Sequence, residues 1–63
     1  MEGKKFRHFK GGIYTVVCIA CLEHNPEQKV VVYQDEAGWN WVRDFEEFFD
    51  TLPGGHPRFI EIV

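Results

Sequence analysis

The chain has 63 residues, 44% of them hydrophobic and 27% charged, and ten acids against seven Lys and Arg give a net charge of −3. That length holds one domain, 1–63, which can bury only about 60% of its unfolded surface. The acidic balance argues against a sequence-independent nucleic-acid binder, which works by neutralising phosphates, and no apolar run reaches the ~20 residues of a membrane helix.

Residues 1–5 are expected to be flexible. Phe6-Arg7-His8-Phe9 alternates weakly and predicts a short strand. Lys10-Gly11-Gly12 reads as a turn, because glycine takes positive φ without steric cost. Residues 13–22, IYTVVCIACL, are rich in β-branched side chains and almost wholly apolar, which predicts a strand with much of both faces covered. Residues 23–28 read as a loop, with Asn25-Pro26 as a turn starter. Residues 30–33 predict the next strand, paired antiparallel to the one before because the connection is short.

Residues 34–38 are polar, end in Gly38 and read as a second hairpin connection. The strand expected over 39–43 places Trp39, Trp41 and Arg43 on one face, and Asn40 and Val42 on the other. Asp44 and Glu47 have capping-box spacing. Phe45, Phe48 and Phe49 fall at i, i+3 and i+4, so a helix is expected over 45–51 with Glu46, Glu47 and Asp50 in water. Residues 52–57 hold two prolines and two glycines and form a loop; residues 58–63 close the chain as a strand.

These elements predict a mainly β fold: a small SH3-like, partly open antiparallel barrel of four to five strands, with one short helix near the C-terminus as a plug. The alternative is an open sheet with the helix laid across one face. The ten aromatic residues are expected to be mostly structural.

Cys18, Cys21 and His24 give a C-x2-C-x2-H spacing that invites a zinc reading. Strand positions three apart point to opposite faces, however, and tetrahedral ligands must converge. The plainer reading is two small buried apolar side chains, with no metal and no cofactor. With no secretory segment after Lys4 and Lys5, the thiols are expected to be reduced and the protein cytoplasmic. There is no serine, and Thr15 and Thr51 have no cue for activation, so an enzyme is not the leading reading.

The segment Phe6 to Gly12, FRHFKGG, is more informative. On a strand His8 shares a face with Phe6 and Lys10, and Arg7 shares the other with Phe9. If one row meets Trp41 and Arg43, the two strands make a basic pocket with an aromatic wall, suited to a carboxylate or phosphate. The plainer alternative is that Arg7 or Arg43 pairs with acids such as Asp44, Glu46 or Glu47, and that His8 hydrogen-bonds the backbone.

The motifs FRHFKGGIYTV, VVVY, WVR and PRF make the chain resemble the small bacterial domain-of-unknown-function family 1653, over about residues 5–60. Members of that family typically have an aromatic-Arg-His-aromatic-Lys-Gly start, then Val-Val-Tyr, Trp-Val-Arg, a phenylalanine-bearing helix and Pro-Arg-Phe. Here Asp44 stands where the family pattern has proline, and Cys18 and Cys21 lie outside the pattern. Neither departure threatens the fold, since proline and aspartate both suit a helix start, and the resemblance implies almost nothing about activity.

The function expected is a small binding module that recognises a peptide segment or anionic group through Arg7, His8, Lys10, Trp41 and Arg43. Its partner would be a protein or a small anionic ligand. Exposed sheet edges and a small core favour a homodimer. The alternatives are a minor metal-dependent hydrolase using His8 with His24 or His56, and a purely structural domain without ligand.

Overall fold

The apolar stretch at 13–22 and the valine run at 30–32 become the two long strands around which the rest assembles. The computed structural model describes residues 1–62. Five strands form one antiparallel sheet: β1 (Lys5–His8), β2 (Ile13–Leu22), β3 (Asn25–Gln34), β4 (Asn40–Asp44) and β5 (Phe59–Ile62). Their order is β4-β3-β2-β1-β5, and one short helix, α1 (Phe45–Phe48), follows β4.

The expected loop at 23–28 is a correction. Leu22 pairs with Asn25, so only Glu23 and His24 turn the chain. The β2–β3 ladder is irregular between Cys21↔Lys29 and Leu22↔Asn25, and β4 pairs with β3 only from Val30 to Gln34. Pro26 therefore sits on a free margin of β3, where no ladder bond needs the N–H it lacks.

A second irregularity lies at Val17, which is skipped between Val16↔Tyr33 and Cys18↔Val32. An extra residue on one strand bends it and strengthens the local twist. β2 is also less covered than its composition suggests. Val16 is buried, but Val17 and Ile19 are exposed, Cys18 is half-buried and Cys21 is exposed, so the expectation of two buried cysteines is corrected too. In a chain this short one face of the sheet takes nearly all the covering material.

That face carries the core. Phe6, Val16, Val31, Tyr33, Phe48 and Phe59 form a buried cluster, with Tyr14 packed against it. Phe48 stacks on Phe59 at 4.1 Å and meets Phe6 and Tyr33 edge to face at 5.2 and 5.3 Å. The helix that carries it has only four residues, too few to be stable alone. It is held by the buried ring and by Asp44, whose carboxylate accepts from the Glu46 amide at 3.1 Å.

The helix ends at Phe48 rather than at residue 51. Asp50 is drawn away from it by Arg58, which donates from Nε to Oδ1 at 2.8 Å and from Nη2 to Oδ2 at 3.1 Å. The Arg58 amide also donates to the Asp50 carbonyl, and Thr51 bridges Pro57. Asp50 is thus part of the structure and not a solvated helix face.

The sheet does not close into a barrel. β4 and β5 are its two edges, and Phe48 wedges between rings from β1, β3 and β5 where a β4–β5 ladder would have to form. At the start of the chain, the Gly3 amide donates to the Val16 carbonyl at 2.8 Å and Val16 donates to Lys4, so the ladder runs back before β1. Lys4 and Glu61 pair at 3.2 Å across an exposed surface, where such pairs contribute little.

The β1–β2 turn depends on Gly12. Its φ is +90°, and a Cβ built there would lie 3.4 Å from the Tyr14 ring. Gly12→Ala is expected to lower stability by about 1–2 kcal/mol from backbone strain alone. Urea denaturation of the variant beside Lys10→Ala checks this: an equal midpoint for the two would show that the turn does not need glycine.

Candidate functional site

Register decides which side chains can meet. His8 pairs with Phe59, Phe6 with Tyr14, Tyr33 with Trp41, and Val31 with Arg43. Residues directly opposite in an antiparallel pair share a face, so His8, Tyr14, Tyr33, Trp41, Arg43 and Phe59 all stand on the core face. In a flat sheet β1 and β4 would be about 14 Å apart. Large side chains on a twisted sheet span that distance, and the six residues line one concavity of about 200 Å³.

Its floor is an edge-to-face ring array. His8 lies 4.9 Å from Phe59 and 6.2 Å from Tyr14, and Tyr33 lies 5.4 Å from Tyr14 and 5.5 Å from Phe59. The Lys10 amide donates to His8 Nδ1 at 3.2 Å. In the neutral ring the proton then rests on Nε2, leaving an N–H donor there. Burial pushes the His8 pKa below its ordinary 6.5, and the positive fields of Arg43, Arg58 and Lys10 push it the same way.

The two arginines near His8 are compensated differently. Arg58 is held bidentately by Asp50 and also donates to the Glu47 carbonyl at 3.2 Å. Among the described residues Arg43 has only a 3.9 Å contact from Nη1 to Glu47, whose own side chain is 61% exposed, and its Nε is buried with no hydrogen-bond partner among them. A guanidinium so placed has lost hydration and gained little in return.

Trp41 is half-exposed yet fixed. Its indole N–H donates to Asp35 Oδ2 at 2.8 Å, while Oδ1 accepts from the Trp39 and Ala37 amides at 2.9 and 3.0 Å. Those bonds, the Trp41 one foremost, hold the Asp35 carboxyl below its ordinary 3.8. One aspartate in the β3–β4 turn therefore both closes the hairpin and aims the wall of the concavity.

A family described as a protein of unknown function, DUF1653, matches residues 4–61, nearly the whole chain. The chain belongs to that family. No curated protein and no solved structure matches it. The four motifs that carry the DUF1653 resemblance converge on the concavity: FRHFKG supplies His8, VVY supplies Tyr33, WVR supplies Trp41 and Arg43, and PRF supplies Phe59.

In the DUF1653 domain Arg7 stands apart from these residues. It pairs with Ile13 and Ile60 on the opposite face of the sheet, so the structure does not bring it to Trp41 and Arg43. Lys10 lies in the turn and contributes its amide; its ammonium sits 5.6 Å from the Phe9 ring. Tyr14, Tyr33 and Phe59 join the lining although the sequence marks them only as core material. Their signal is phase: Phe6↔Tyr14 and His8↔Phe59 follow once β1 is placed between β2 and β5.

The remaining candidates scatter. His24 is at the far end of β2 from His8, roughly 30 Å along a ten-residue strand. His56 lines a separate apolar groove of about 580 Å³ with Phe9, Leu52, Pro53, Pro57 and Ile60. Among the described residues no three His, Cys, Asp or Glu side chains are grouped as metal ligands. Cys21 accepts from Lys29 Nζ at 3.1 Å, and Cys18 lies on the other face, paired with Val32.

Proposed function

We propose that this DUF1653 domain is a binding module that grips a peptide segment by one anionic group seated in the concavity of His8, Tyr14, Tyr33, Trp41, Arg43 and Phe59. The observation that carries the reading is the under-compensated guanidinium of Arg43 beside a histidine N–H donor in an aromatic cup. About 200 Å³ is below the ~300 Å³ of typical small-molecule sites, so the cup suits one side chain or chain terminus rather than a cofactor. We read the whole as a partly open, SH3-like barrel. In support, β1 to β4 form a meander, β5 returns to β1, and Phe48 plugs the space between the edges.

The test is an NMR titration with an acetylated glycine–glutamate–glycine amide, beside the peptide with glutamine in place of glutamate. The acidic peptide is expected to shift the His8 imidazole and Trp41 indole resonances, and the glutamine peptide is not. Arg43→Gln should weaken binding about tenfold, the ~1.4 kcal/mol of one charge-assisted hydrogen bond. Arg7→Ala, on the opposite face, should leave it unchanged. Equal losses from Arg7→Ala and Arg43→Gln would reduce the site to non-specific attraction by the chain's cations.

A further inference from the structure

We propose that the group this cup takes is a monocarboxylate, seated between His8 and Arg43 with its alkyl stem against Tyr14, Trp41 and Phe59, and that His8 takes up a proton as it binds. The inference rests on the binding reading above and narrows it in two respects: the class of anion and the proton that accompanies it.

The choice of a carboxylate over a phosphate follows from charge and lining. Four of the six lining residues are aromatic; Tyr14 and Tyr33 bring neutral hydroxyls, and Arg43 is the one permanent charge in the lining for a tetrahedral dianion. Arg58 is already occupied by Asp50, leaving Arg43 as the lining guanidinium, and Glu47 lies 3.9 Å from it. A second negative charge on the ligand would lie near Glu47, and with His8 neutral near pH 7 before binding, Arg43 is the one lining cation that meets it. A carboxylate brings one charge and two coplanar oxygens, which suit one guanidinium edge and one imidazole N–H. Its alkyl stem then lies on ring surface that would otherwise face water.

The proton follows from what surrounds His8. The charged groups that act on it are Arg43 from β4, Arg58 from the segment before β5, and Lys10 from the β1–β2 turn, and all three are cationic. Its ring neighbours are Phe9, Tyr14 and Phe59. The carboxylates on this side, Asp50 and Glu47, are turned to Arg58 and Arg43. Without ligand the imidazole therefore stays neutral near pH 7. A bound carboxylate is the missing counter-charge: it offsets the field of Arg43 and favours imidazolium. Linkage then makes affinity rise as pH falls, with tenfold for each unit by which binding raises the His8 pKa.

The experiment uses the intact chain with sodium acetate, sodium propionate and inorganic phosphate as probes, followed by imidazole and indole NMR at pH 5.5, 6.5 and 7.5. The expected result is that propionate binds at least as tightly as acetate, and phosphate more weakly than either at pH 7.5. Carboxylate affinity should rise severalfold from pH 7.5 to 5.5, with the His8 titration midpoint moving upward when ligand is saturating. His8→Gln keeps an N–H donor without a titrating ring, and should bind propionate with affinity flat over the same range. Binding that is Arg43-dependent but equally strong at all three pH values, or stronger for phosphate, overturns this inference and leaves the binding module standing. Absence of any Arg43-dependent shift with every probe and with the acidic peptide overturns both.

Discussion

Phe48→Ala is expected to abolish cooperative folding at room temperature. The ring is fully buried, lies parallel to Phe59 at 4.1 Å, and touches rings from β1 and β3 as well. Removing a buried phenylalanine costs about 3–5 kcal/mol, the lost transfer energy plus the cavity left behind. A chain of this length has roughly 3–9 kcal/mol to lose. The cavity would open where four elements meet, so it has no single wall that can collapse into it. Phe45→Ala on the same helix is the control, since that ring is 37% exposed and should cost far less. Urea denaturation followed by far-ultraviolet circular dichroism checks this: Phe48→Ala should show no cooperative transition, and Phe45→Ala a midpoint only slightly below that of the parent chain. Near-equal midpoints for the two variants would mean that the helix is an attachment and not the plug of the fold.

The same residue shows what the sequence made legible. The i, i+3, i+4 spacing of Phe45, Phe48 and Phe49 identified the helix and its stripe, and the Asp44 cap marked its start. Its length was not legible, because the Arg58–Asp50 pair that diverts the chain joins residues eight apart through a loop. Period-two alternation placed Trp41 with Arg43, and His8 with Phe6. It could not choose whether the His8 row or the Arg7 row would meet β4. That choice depends on strand order and on the Val17 irregularity, and both are properties of pairing between distant segments. Composition overstated the burial of β2 for a related reason. An apolar strand is covered only if the chain has material for both faces, and 63 residues cover one. Asp35 reads as an ordinary turn residue, yet its reach to the Trp41 indole appears only once β3 and β4 are in register.

Acid should unfold the domain through groups that its structure keeps in their less protonated forms. Asp50 accepts two bonds from Arg58, and that pairing holds its carboxyl below the ordinary 3.8; Asp35 is held down by Trp41 and the turn amides. His8 is displaced downward from 6.5 by burial and by its cationic neighbours. For each group the folded state binds its proton less readily than the unfolded chain. Each therefore contributes stability that is complete above the unfolded value and disappears as pH falls through the folded one. The urea midpoint should accordingly hold steady from pH 8 to about 6.5. It should slip as pH drops below 6.5 and His8 is forced to charge, then fall steeply below about 3.8 as the aspartates protonate. His8→Gln is expected to remove the first decline and leave the second. Asp50→Asn should lower stability at pH 7, where Arg58 loses its counter-charge, and make the acid limb shallower. A midpoint that rises on acidification between pH 6.5 and 5, with the rise lost in His8→Gln, would mean a folded-state His8 that gains a proton more easily than the free side chain. It would place a carboxylate of the chain itself against the imidazole, in the position where the cup is open to a ligand.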